Sequence, residues 1–151
     1  MNTIRFERCK TGDGGIEVRI VIDDRDLVDH ARAVEAPQAA AEGAPDIAGT
    51  YVGLPWDDVC PPSRHYFGKP LTLLDAYGDR TQVLRCTCRE SGCWPMTCRI
   101  AADDEVVTWS DFEQPHRSAR SGSRWLYEGL GPFQFARSEF ERALNALCGT
   151  G

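Results

Sequence analysis

The sequence is short of most features that would assign a function at once. No stretch approaches the roughly 20 apolar residues of a membrane-spanning helix, and Met1 to Arg8 lack the apolar core of a signal peptide. Basic residues are outnumbered, 17 Lys and Arg against 23 Asp and Glu, for a formal net charge of −6. Binding to nucleic acid needs a basic face that neutralises phosphates, so nucleic acid is not an expected partner. The Arg-rich stretch from His116 to Arg124 is the local exception, and its Ser and Gly content reads as a polar loop. Catalytic signatures are missing too: there is no H-E-x-x-H, no H-x-E with P-C-x-x-C, no phosphate loop and no G-x-S-x-G. These absences predict a cytoplasmic protein with no membrane partner, and a binding protein rather than an enzyme.

What is present suits one α+β domain spanning residues 1–151, with 42% hydrophobic residues to build a core. Ile16, Val18, Ile20 and Ile22 alternate with Glu17 and Arg19, the period of a strand, and Ile4 and Phe6 begin a second such run. Thr11 to Gly15 between them is turn chemistry, which predicts a β-hairpin. Asp24 or Asp26 then caps a helix with Leu27, Ala31 and Val34 on one stripe, and Pro37 is expected to end or kink it. Strands are predicted over 71–75 and 81–88, and a second hairpin over 96–101 and 105–112 across Asp103 and Asp104. In that hairpin Val107 and Trp109 share one face. At the C-terminus Phe140, Ala143, Leu144 and Leu147 make a helical stripe, with Ser138 and Glu141 spaced as a capping box and Gly149 as the stop. The expected architecture is an antiparallel sheet of two or more β-hairpins packed by a helix in the N-terminal half and a C-terminal helix, with a cysteine-rich loop.

That loop is the informative segment. Cys86, Cys88 and Cys93 fall within eight residues, and Gly92 allows the chain to reverse so that they converge. Thiolates are soft ligands that favour zinc, and structural zinc takes four ligands in a tetrahedron. The C-x-C and C-x4-C spacings differ from the usual C-x2-C knuckle. For the fourth ligand His116 ranks first, since the second hairpin can return it to the loop; Cys98 follows, and Cys60 and His65 come after. Seven cysteines without a secretion signal predict reduced thiols or metal ligands, not a disulfide framework, and Cys9 and Cys148 read as packing residues.

Three stretches together resemble a family of uncharacterised bacterial proteins: Cys86-x-Cys88-x4-Cys93-Trp94-Pro95, the run Val107 to Arg117 (V-T-W-S-D-F-E-Q-P-H-R), and Gly129 to Phe135 (G-L-G-P-F-Q-F). The likeness covers most of the chain from about residue 48, including Pro62 to His65. The resemblance implies that relatives often carry Gly where Arg89 stands. The resemblance implies a bacterial cytoplasmic source and a shared site, and no reaction.

Two functional expectations follow. One is a small protein-binding domain with structural zinc, whose acidic surface docks on a basic protein, as an immunity or antitoxin-like inhibitor does. The other is a small zinc- or cysteine-dependent enzyme using the Cys86, Cys88 and Cys93 loop with His65 or His116.

Overall fold

In the computed structural model the described residues are 1–60, 64–69, 77–90, 93–117 and 124–149. The strand expected over 71–75, the reversal at Gly92 and the polar loop at 118–123 lie outside them. The fold is α+β, with helices packed on antiparallel sheets.

Strands β1 (Ile4–Lys10) and β2 (Ile16–Ile22) form the expected hairpin, with Ile4 opposite Ile22 and Lys10 opposite Ile16. Its turn closes through Thr11 N–H to the Gly15 carbonyl at 2.9 Å. Val18, Ile20 and Ile22 are buried in the core, and Val21 on the opposite face is buried too, on a strand flanked on both edges, while Arg19 beside it is exposed. The other edge of β2 takes β3 (Arg25–Asp26) and, further along, β5 (Leu54–Pro55).

Helix α1 (Leu27–Ala41) starts at Asp26, whose Oδ1 accepts from the Val28 N–H at 2.8 Å, satisfying one of the orphan donors of the first turn. Its buried stripe is Leu27, Ala31, Glu35 and Ala39, a strict i, i+4 series that includes a carboxylate. Pro37 does not end the helix as expected; it lies inside. The following Gln38 holds the last turn in place. Its Nε2 donates to the Val34 carbonyl at 3.1 Å and the Leu126 carbonyl at 2.8 Å, and its Oε1 accepts from the Leu126 N–H at 2.6 Å. Tertiary anchoring and three alanines, the best helix formers, outweigh the lost backbone bond at proline.

The chain next runs through β4 (Tyr51–Val52), β5 and the short α2 (Trp56–Val59). Strands β6 (Thr81–Cys86), β7 (Met96–Ala102), β8 (Val106–Glu113) and β9 (Phe133–Ala136) complete a second sheet, in the order β4-β6-β7-β8-β9. Gly53 is the joint between the sheets: β4 pairs with β6, and two residues later β5 pairs with β2. A Cβ at Gly53 would run into the Val18 carbonyl, so only glycine lets the two backbones approach this closely. At the far end the Asn2 N–H donates to the Gln134 carbonyl at 2.8 Å, which ties the start of the chain to β9. The sheets therefore meet at both ends around one core.

That core is aromatic. Phe6 stacks on Tyr66 at 5.0 Å and meets the edge of Phe140 at 5.7 Å, while Trp109 packs against Phe135 at 5.9 Å. Val107 and Trp109 are fully buried on the same face of β8, as their alternation requires. Helix α3 (Arg137–Cys148) buries Phe140, Leu144 and Leu147, each worth about 1.5–3 kcal/mol when removed from water. Ser138 does not cap it. The helix begins one residue earlier, at Arg137, with Ala136 at the cap position. The Arg137 N–H instead donates to the Glu105 carbonyl at 2.8 Å, so a neighbouring turn does the work of the cap.

Cys60 and Cys148 do not simply pack as free thiols. They form a disulfide with a Cα–Cα distance of 5.3 Å, joining the end of α2 to the end of α3. Trp56 fixes the same contact, with its Nε1 donating to the Leu147 carbonyl at 3.1 Å. Among the described residues no helix is long and apolar enough to cross a membrane.

Candidate metal centre

The loop after β6 opens on a turn and is braced by two backbone hydrogen bonds. The Arg89 N–H donates to the Cys86 carbonyl at 2.8 Å, and the Cys93 N–H to the Glu90 carbonyl at 3.5 Å. Strand β6 ends at Cys86, opposite Tyr51 of β4, two residues short of the strand end expected at Cys88. The opening turn needs a left-handed residue, and Arg89 takes it with a φ of 64°. Side chains with a Cβ rarely adopt that conformation, whereas glycine does so freely.

Arg89 is held there by charge. Glu17 of β2, nearly buried, accepts from Arg89 Nε at 2.9 Å and Nη2 at 3.1 Å, and from Arg85 Nη2 at 2.6 Å. Arg85 also donates to the Gly53 carbonyl at 2.8 Å. One carboxylate thus ties the cysteine loop to the first sheet. The alternation of β2 placed Glu17 on a polar face, and nothing in the sequence pattern linked it to Arg85 and Arg89, which are far off in the chain.

These constraints bring together the three cysteines expected to converge. The sulfur atoms of Cys86, Cys88 and Cys93 all lie within 4.8 Å of one another, a group able to hold a metal ion. Cys86 is half-buried, and Cys88 and Cys93 are exposed. Burial pushes the Cys86 thiol up, but hydrogen bonds from the Cys88 backbone and from the Cys88, Cys93 and Thr87 side chains outweigh it, and the net displacement is downward. Hydrogen bonds to Cys88 and Cys86, with burial adding to them, push the Cys93 thiol up to about 12. A metal ion binding here displaces the thiol protons, so its affinity rises with pH.

The expected fourth ligands are spread more widely. His116 stands beside the loop but not in the three-sulfur group: its ring stacks on Trp94, the residue after Cys93, at 6.0 Å and 10°. Trp94 also meets Trp125 edge-on at 6.0 Å, and the Arg117 guanidinium lies over both indoles, 5.6 Å from Trp94 and 5.0 Å from Trp125. Glu42 fixes that arrangement, accepting from Arg117 Nη1 at 2.7 Å and from Trp125 Nε1. Cys98 is fully buried on β7 opposite Thr81, with burial pushing its thiol up, as suits a core thiol. Cys60 is spent in the disulfide. His65 is buried against the Gln82 carbonyl, its Nε2 2.6 Å away, and is not one of the converging group.

A second polar cluster went unseen in the sequence. Glu35, with no exposed surface, accepts from Tyr51 Oη at 2.5 Å, Tyr127 Oη at 2.6 Å and the Gly49 N–H at 2.8 Å. Burial raises its carboxyl above the ordinary range, and the hydrogen bonds from Tyr127, Tyr51 and Gly49 only partly offset this. Gln114 Nε2 reaches Tyr51 Oη at 3.4 Å and its Oε1 accepts from the His116 N–H at 3.1 Å, so the cluster is linked to the His116 backbone.

No protein-family model, curated protein or solved structure matches the chain.

Proposed function

We propose that the protein is a small binding domain whose cysteine loop is stapled by one structural zinc ion, held by Cys86, Cys88, Cys93 and His116. The observation that supports this is the convergence of three sulfurs within 4.8 Å. Around tetrahedral zinc, with Zn–S near 2.3 Å, sulfurs stand roughly 3.8 Å apart, so a small contraction of the loop suffices. Three thiolates are a soft donor set, which selects zinc over magnesium or calcium. In this reading the fourth ligand is His116, whose ring stacks on Trp94, the residue after Cys93. The second reading, an enzyme working through the same loop, draws its strength from the exposure of Cys88 and Cys93, and a water molecule in place of His116 is its signature.

Reduced protein should carry about one zinc per chain, and Cys88→Ser or Cys93→Ser should release it and lower the melting temperature, since binding energy at such sites is folding energy. Elemental analysis finding no metal in folded, reduced protein would refute the proposal.

The partner in this reading is a basic protein, with the net charge of −6 supplying attraction, and the role is that of an immunity or antitoxin-like inhibitor. Affinity capture from the host should recover a basic protein whose association weakens steeply between low and physiological salt. Capture that is indifferent to salt, or that recovers acidic proteins alone, would count against it. The motif resemblance supports a bacterial source in this reading, and Arg89 takes a left-handed conformation that glycine adopts more freely. A reducing cytoplasm keeps the clustered thiols available. The Cys60–Cys148 bond then owes its persistence to shielding, with Cys60 only 7% exposed, and not to oxidising surroundings.

A further inference from the structure

We propose that the Cys86, Cys88 and Cys93 cluster also takes a trivalent thiophilic metalloid, of which arsenous acid is the simplest example, in a three-sulfur pyramid. The inference rests on the same sulfur convergence as the zinc reading. It differs in what it asks of the site. Zinc wants four ligands in a tetrahedron, whereas trivalent arsenic is satisfied by three thiolates and keeps a lone pair on the fourth side. The three sulfurs come from one short loop, already within 4.8 Å of one another, and two of the three cysteines are exposed, so the pyramid can close without help from another element. The Glu17 clamp on Arg85 and Arg89 holds the loop in place beforehand, which lowers the cost of ordering it.

The exchange is a condensation without electron transfer. Each thiol loses its proton to a departing hydroxide as water; three As–O bonds break, three As–S bonds form, and arsenic stays trivalent. Arsenous acid is uncharged at neutral pH, so the net charge of −6 does not repel it as it would an oxyanion.

The test uses full-length, metal-free, reduced protein titrated in parallel with arsenite and with zinc, read by intact mass and by thiolate absorption. One arsenic should bind per chain, with a mass gain of one arsenic less three protons. Cys86→Ser should weaken arsenite at least about tenfold, or ~1.4 kcal/mol. His116→Ala should leave arsenite within about twofold while weakening zinc at least about tenfold, because only the tetrahedron uses the imidazole. If a serine variant misfolds, native protein suffices: bound arsenite should shield Cys86, Cys88 and Cys93 from alkylation and leave Cys9 open. Zinc uptake without arsenite uptake overturns this inference alone, as does arsenite binding that survives Cys86→Ser. Arsenite uptake without zinc supports it and removes the zinc reading.

Discussion

Glu35→Ala should destabilise the protein by about 3–5 kcal/mol. The substitution strips the acceptor from two tyrosine hydroxyls and the Gly49 N–H in a region closed to solvent, and each buried donor left unpaired costs roughly 1–3 kcal/mol. Water entering the vacated space offsets part of that sum. The native carboxylate is itself under tension, because burial raises its pKa. A group whose folded pKa is raised holds its proton longer in the native state than in the unfolded chain. Stability from that difference is complete below the ordinary glutamate value of about 4.3 and is lost as pH climbs through the raised one. Asp13, Asp23 and Asp103 act oppositely: hydrogen bonds led by Thr11, Thr3 and Glu105 respectively lower them, so their contribution is present above the ordinary carboxylate range and fades below it. The Glu35 signature is therefore a decline of stability on the alkaline side of the ordinary carboxylate range. Urea denaturation of wild type and Glu35→Gln across that range checks this. The glutamine variant should lose the decline, and an identical slope in both proteins would show that Glu35 titrates normally.

Removing the Cys60–Cys148 bond should cost about 4–5 kcal/mol in the chain-entropy account of cross-links. The two cysteines are 88 residues apart, so the bond closes a large loop in the unfolded chain. The native contact does not depend on it alone, since Trp56 still donates to the Leu147 carbonyl and Arg8 still lies over the Trp56 ring at 4.5 Å. A Cys60→Ala/Cys148→Ala variant should fold, keep its metal, and unfold at markedly lower denaturant with a steeper slope, because the unfolded chain without the cross-link is more expanded. A loss under about 1 kcal/mol would mean that the bond does not constrain the chain in solution. Acid-quenched alkylation of protein from its host should find Cys60 and Cys148 blocked and the other five cysteines free.

The elements legible in the sequence were those whose pattern is local. The β1–β2 hairpin follows from two alternating runs and one glycine-rich turn, and the α3 stripe follows from four apolar residues at helical spacing. The reading went astray where distant residues decide the outcome. Pro37 looks like a stop until Leu126 binds Gln38, and Ser138 looks like a cap until the Glu105 carbonyl takes the first N–H. Glu35 gave no signal in the sequence because its tyrosine partners lie in other elements, Tyr127 being 92 residues away. Of the site, the three cysteines were visible because they are neighbours in sequence. The Glu17 clamp, the Trp94–Trp125–Arg117 stack and the Cys60–Cys148 pairing were not, because each joins segments far apart along the chain.

X-ray absorption at the zinc edge of protein purified with its metal tests the central claim most directly. The account predicts one zinc with three sulfurs near 2.3 Å and one lighter atom near 2.0–2.1 Å, the latter replaced by oxygen in His116→Ala. A shell made only of nitrogen and oxygen, or one unchanged by Cys88→Ser, would contradict it.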